Sequence, residues 1–129
     1  MYRQVMLIDD SETDLLYGRL MIERAGIADR VLDFDTAPAA LEYLQRGEGH
    51  SIDLVLLDIN MPVMNGFEFL EAYERLDAQR RAEVVIVMLT SSPDPQDRAR
   101  AFSFASVRGY VTKPLSHEDA RALAQWERA

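Results

Sequence analysis

Three short stretches of the chain are apolar at consecutive rather than alternate positions: residues 5–8, 54–57 and 84–89. A strand with one wet face alternates apolar and polar residues, so unbroken runs of this length predict strands covered on both faces, as in a parallel sheet. Residues 31–34 and 109–112 are weaker strand candidates. Segments of helical length separate all five, and the order reads βα repeated five times. Helix starts are marked by Ser11 three residues before Asp14, Asn65 three before Glu68 and Ser116 three before Asp119, each with the spacing of a capping box. Asp94 followed by Pro95 marks another, with proline at the first helical position, where its missing N–H costs nothing. Thr36 with Pro38 opens a helix to about residue 46, and Gly26 and Gly47 fall where helices should stop. The Ala/Arg-rich stretches 97–105 and 120–129 read as solvated helices. Consecutive strands joined by helices run parallel with right-handed crossovers. The predicted architecture is α/β, a (βα)5 doubly wound sheet of five parallel strands.

In such a sheet, ligands bind at the carboxyl ends of the strands. Asp9-Asp10 follow the first predicted strand, Asp58 the third, Thr90 the fourth and Lys113 the fifth, so four of five strand ends deliver polar groups to one rim. Three carboxylates gathered there repel one another and must share a proton or hold a cation. An all-oxygen donor set favours a hard divalent ion such as magnesium, which binds through one or two carboxylates and a substrate phosphate. His50 precedes the third strand and His117 opens the last helix, so zinc is disfavoured. A carboxylate can attack phosphorus to give an aspartyl phosphate if metal and lysine neutralise the transferring oxygens, and Thr90 adds a hydroxyl suited to a phosphoryl oxygen.

Taken singly, each of these residues has a plainer explanation. Asp and Asn after strands are commonly turn residues or caps, and Glu12 in a first helical turn is accounted for by the helix dipole. Convergence on one rim is what favours chemistry. Lys113 adds weight, because it is the one lysine among fourteen basic residues. A compact, flexible ammonium where the chain elsewhere uses arginine points to a chemical demand at that position. Met61, Met64 and Met88 read as core filler.

Ile8-Asp9-Asp10, the run from Asp58 through Asn60, Met61, Pro62 and Asn65 to Gly66, then Leu89-Thr90-Ser91 and Tyr110-Val111-Thr112-Lys113-Pro114, together resemble the receiver domain of two-component response regulators over residues 5–123. The resemblance implies the strand order 2-1-3-4-5, for which a chemotaxis member of this family is a standard example. It implies Asp58 as phosphoacceptor, Asp10 as direct magnesium ligand, Asp9 as ligand through water and Asn60 as ligand through its backbone carbonyl, with Mn²⁺ able to substitute for Mg²⁺. Thr90 and Lys113 would hold the phosphoryl oxygens, Tyr110 would be the switch aromatic, and Lys113-Pro114 a cis peptide. The chain departs from many receivers at Ser106-Val107, where they carry Gly-Ala, and in a short last helix from about residue 117 to 128. Both departures bear on the output surface of helix four, strand five and helix five.

Length and charge narrow the partners. At 129 residues one domain is expected, with no separate output module. Twenty-two acidic against fourteen basic residues give a net charge of −8, which disfavours direct binding of nucleic acid or anionic membrane. The longest apolar run is far short of a membrane span, and residues 5–8 are cut off by Asp9 and Asp10 before they could form a signal-peptide core. With no cysteine, a cytoplasmic protein is expected. The leading expectation is a stand-alone receiver that takes a phosphoryl group from a sensor histidine kinase or histidine phosphotransfer protein. Its output would be a separate target protein or a homodimer through helix four, strand five and helix five, with no enzymatic activity beyond its own phosphoryl transfer and hydrolysis. A haloacid-dehalogenase-type phosphatase would want an acid where Asn60 stands. A flavodoxin-like cofactor binder would meet repulsion from Asp9-Asp10, and a non-phosphorylated scaffold would not need the complete pocket. Phe102 and Phe104, two apart on a predicted helix, cannot both face the core, so at least one is expected to be exposed.

Overall fold

The computed structural model describes residues 2–46, 50–76 and 84–126. Among these residues, five strands, β1 (Tyr2–Ile8), β2 (Ala28–Phe34), β3 (Ile52–Leu57), β4 (Val85–Thr90) and β5 (Val107–Thr112), alternate with five helices. These are α1 (Glu12–Ala25), α2 (Ala37–Leu44), α3 (Gly66–Glu74), α4 (Pro95–Phe102) and α5 (His117–Ala122), the last continued by a 3-10 turn, Leu123–Trp126. The strands form one parallel sheet in the order β2-β1-β3-β4-β5.

The unbroken apolar runs are explained by the two cores. Met6, Ile8, Val55, Leu57, Ile86 and Met88 point to the side covered by α2, α3 and Ala101 of α4. Val5, Leu7, Leu54, Leu56, Val85, Val87 and Leu89 point to the side covered by α1 and α5. Successive strand side chains alternate between faces, so with both faces dry every position is buried and the alternation disappears from the sequence. Both weaker strands begin earlier than expected, at Ala28 and Val107. Their first residues include exposed charges, Asp29, Arg30 and Arg108, because these strands form the two edges of the sheet.

The caps follow the expected spacing. Asn65 and Ser116 close full capping boxes with Glu68 and Asp119, and Asp94 accepts from the Gln96 amide with Pro95 in the first turn. Gly26 ends α1 in the left-handed conformation, φ 65°. Thr36 occupies the N-cap position of α2 without a side-chain cap bond, and α2 ends at Leu44. The expected stop at Gly47 and the end of the last helix beyond residue 126 lie outside the described residues. Helix α4 ends at Phe102, so Phe104 is not on it. Phe104 sits in the following turn and stacks on Phe67, with ring centroids 6.5 Å apart, while Phe102 stays 42% exposed. Among the described residues, no helix is long and apolar enough to cross a membrane.

At the other end of the strands, β1 shifts register against β3 between Gln4 and Val5. Asp53 accepts the two amides at the irregularity, Arg3 N–H at 2.8 Å and Gln4 N–H at 3.1 Å. Asp53→Ala should therefore leave two strand amides without their acceptor and lower unfolding stability by about 1–2 kcal/mol, measured by urea denaturation. A loss within error of zero would show that water takes over both amides.

Candidate functional site

β1, β3, β4 and β5 are consecutive neighbours in the sheet, and their carboxyl ends form one rim. The backbone ladder runs one residue past β1, β3 and β5. Asp9 N–H donates to Phe34 O at 3.1 Å, Asp58 N–H to Ile8 O at 3.0 Å and Lys113 N–H to Thr90 O at 2.8 Å. The side chains of Asp9, Asp58 and Lys113 therefore leave from backbone hydrogen-bonded into the sheet rather than from free loops.

One carboxylate oxygen from each of Asp9, Asp10 and Asp58 can be chosen so that all lie within 4.8 Å of one another. Asp9 and Asp58 are buried, and Asp10 is exposed. Lys113 reaches into this cluster, its Nζ 2.5 Å from Asp9 Oδ2, 3.0 Å from Asp14 Oδ2 and 3.5 Å from Asp58 Oδ2. Burial pushes the Asp58 carboxyl above its ordinary pKa, and Asp9 adds to the rise. Lys113, the Ile59 amide and the Thr90 hydroxyl act against it. For Lys113, burial opposes its charge, but the bonds to Asp9 and Asp14 and the field of Asp58 outweigh it and raise the pKa.

Thr90 is fully buried, and its Oγ1 accepts from the Ser92 amide at 3.3 Å. Tyr110 is half-buried, and its hydroxyl donates to the Ser92 carbonyl at 2.9 Å. Asn60 is exposed, two residues past Asp58. The Lys113–Pro114 bond is cis. The structure thus brings Asp9, Asp10, Asp58, Thr90 and Lys113 to one rim, with Tyr110 one hydrogen bond further out. His50 stands at the opposite edge, before β3, where its Nδ1 accepts from the Ile52 amide.

Three positions beyond the expected set shape the rim. A Cβ on Gly66 would overlap the Asp58 carbonyl oxygen, so the first residue of α3 must be glycine for the helix to butt against the strand end. Its amide donates to Ile59 O at 2.8 Å. Val63, between Asn60 and Gly66, is 94% exposed at φ 71°, with Met64 N–H donating to Pro62 O at 2.8 Å in a tight turn. A β-branched residue in the left-handed region stores about 1–3 kcal/mol of strain. The sequence carries no sign of that turn, because no glycine marks it. The third position is Asp14, in the first turn of α1, whose carboxylate joins Lys113.

The all-oxygen, partly exposed acidic set fits a hydrated divalent ion such as magnesium. A family model described as the response regulator receiver domain matches residues 5–125, and the chain belongs to this family. Receivers are signalling domains. Two-component response regulator ORR1 of Oryza sativa subsp. japonica is 30% identical over 125 residues, which are 93% of this chain and 53% of that protein. The chain therefore spans about half the length of that curated relative. A two-component response regulator from Cytophaga hutchinsonii matches at a TM-score of 0.88 and 26% identity, covering 97% of this chain and 96% of that one. A response regulator receiver protein from Dyadobacter fermentans matches at 0.85 and 30% identity, covering 96% of each.

A carboxyl with a raised folded pKa favours folding while protonated, and that contribution is lost as pH rises through the folded value. Ionised Asp58 is thus a burden on the metal-free fold at neutral pH. Asp58→Asn should raise stability in chelator at pH 7.5, and the gain should fade as pH falls through the raised folded value and be gone below the ordinary 3.8. Thermal unfolding against pH measures it, and a destabilised Asp58→Asn at pH 7.5 would refute the electrostatic account.

Proposed function

We propose that this receiver accepts a phosphoryl group on Asp58 from a phosphohistidine. The carrying observation is the set of three carboxylates within 4.8 Å with a lysine ammonium against two of them. An Asp58 oxygen attacks phosphorus, the P–N bond breaks with its electron pair returning to the imidazole, and an acyl phosphate remains. Asp9, Asp10, Asp58 and the Asn60 backbone carbonyl would hold Mg²⁺, or Mn²⁺ in its place. When bound, the ion neutralises charge on the transferring oxygens. Lys113 and the Thr90 hydroxyl meet the remaining phosphoryl oxygens. The raised pKa of Asp58 fits a group poised for a cation, because the same crowding that penalises its charge is relieved by a divalent ion.

The phosphodonor is a sensor histidine kinase or a histidine phosphotransfer protein. Leu16, Tyr17 and Leu20 of α1 support this reading, since all three are large apolar side chains more than 40% exposed on the helix that follows Asp9 and Asp10. Residues 1–129 then work as one receiver unit in the cytoplasm, with output through a separate target protein or a second copy. Intact-mass spectrometry with acetyl phosphate should show one added phosphoryl group in the presence of Mg²⁺ and none in excess chelator. A full yield in Asp58→Asn or in chelator would overturn the assignment.

Output through α4, β5 and α5 follows from two features of that face. Phe102 is exposed on α4, and Tyr110 on β5 is tied to Ser92, next to the Thr90 loop. Thr90 drawn toward the phosphoryl group would release Tyr110 and shift the face between two packings. Hydrogen exchange with and without beryllofluoride, which mimics the phosphoryl group, should change over residues 94–112. Changes confined to the surroundings of Asp10 and Asp58 would refute signalling through this face.

A further inference from the structure

Among the described residues, three helices begin with a Ser or Asn cap followed three residues later by an acid, and one of the three uses its acid differently. In α3 and α5, Glu68 and Asp119 bond back to the cap amides of Asn65 and Ser116. In α1, the Asp14 amide donates to Ser11 Oγ at 3.3 Å, but the return bond is absent. The Ser11 amide donates instead to Asp9 Oδ1 at 3.0 Å. The Asp14 carboxylate is left over from the cap, and it reaches Lys113, 99 residues along the chain, at 3.0 Å.

We propose that Asp14 is a positioning residue that holds the Lys113 ammonium back from Asp58 in the unphosphorylated protein and competes with the phosphoryl group for it. The proposal rests on the reading of Asp58 as phosphoacceptor. Of the three carboxylates around Nζ, Asp58 is the farthest, at 3.5 Å. An ammonium has three donors and no acceptor, and here all three have a carboxylate in reach. A phosphoryl oxygen arriving on Asp58 needs one of them. The Asp9 side chain is 8% exposed, so bulk water cannot take the place of the ammonium there. The Asp14 side chain is 44% exposed, so water can replace the ammonium there at little cost. Asp14 is therefore the contact given up. Lys113 and Asp14 share the wall of a cleft of about 170 Å³ with Thr13, Tyr17, Gly18 and Leu115, so the lysine stem has room to pivot.

Lys113 is the one lysine of the chain, and an ¹H–¹⁵N spectrum tuned to lysine ammonium groups reports on it alone. In the metal-free protein, Asp14→Asn should speed solvent exchange of the Lys113 ammonium protons. At saturating Mg²⁺ the same variant should bind beryllofluoride about threefold more tightly. Asp14→Glu, which keeps the charge, should stay near wild type in both readouts. Glu12→Gln removes an acid from the same first turn without touching Lys113, and should leave both readouts unchanged, which separates competition for the lysine from the helix dipole. Equal or weaker beryllofluoride binding by Asp14→Asn, or a Glu12→Gln variant that matches it, overturns the role of Asp14 alone. A wild-type protein that binds no beryllofluoride overturns the phosphoacceptor reading and this proposal with it.

Discussion

Repulsion among carboxylates is the constraint on which the rest of the molecule depends. Two like charges within 4.8 Å repel by about 3 kcal/mol at an effective dielectric near 20, a large fraction of what holds a small domain folded. Asp9, Asp10 and Asp58 would move apart if their backbones allowed it. They do not, because Asp9 and Asp58 leave from amides bonded to Phe34 and Ile8 at the ends of adjacent central strands. Those strands are themselves immobilised by apolar side chains on both faces. The Lys113 ammonium offsets part of the repulsion, and its own backbone is pinned to Thr90. Dry core, parallel sheet and acidic rim are thus one arrangement, in which the core supplies the rigidity that the rim strains against.

The same physics determined what could be read from the sequence. β1, β3 and β4 were legible because burial on both faces leaves consecutive apolar residues, and the groups that follow them were legible because parallel strands all end at one edge. Asn65, Asp94 and Ser116 were legible as caps because their spacing alone specifies the bonds. The first residues of β2 and β5 were not, since an edge strand carries Asp29, Arg30 and Arg108 outward and so loses the apolar signature. Gly66 was visible only as part of a motif. Its reason is a backbone overlap with Asp58 that no local pattern encodes. Asp14 looked like an ordinary cap partner, and only the fold reveals that Asp9 takes the amide it would have used.

Ser106-Val107, the departure from the common receiver pattern, has a definite structural role. The Ser106 amide and hydroxyl both donate to Glu74 Oε2, at 2.8 and 2.6 Å. Phe104 stacks on Phe67, and the Arg100 guanidinium lies 4.2 Å over the same ring. The end of α4 and the turn into β5 are therefore held to α3 by polar and aromatic contacts together. A glycine at position 106 could supply the amide but not the hydroxyl, so this chain ties that turn more firmly than the common pattern would. Val107, buried at 6% exposure, starts β5 where the turn ends.

The other end of α4 is held by a different residue. Before Pro95 the chain is organised around Ser92, whose amide donates to Thr90 Oγ1, whose carbonyl accepts from Tyr110 and whose hydroxyl donates to Asp97 at 2.6 Å. One residue thus touches the buried rim, the half-buried aromatic and the first turn of α4. A threonine hydroxyl has a limited set of partners, and one drawn toward a new oxygen on Asp58 is no longer placed to accept from the Ser92 amide. Because packed side chains offer discrete arrangements rather than continuous ones, losing that bond would be felt at Tyr110 and Asp97 together.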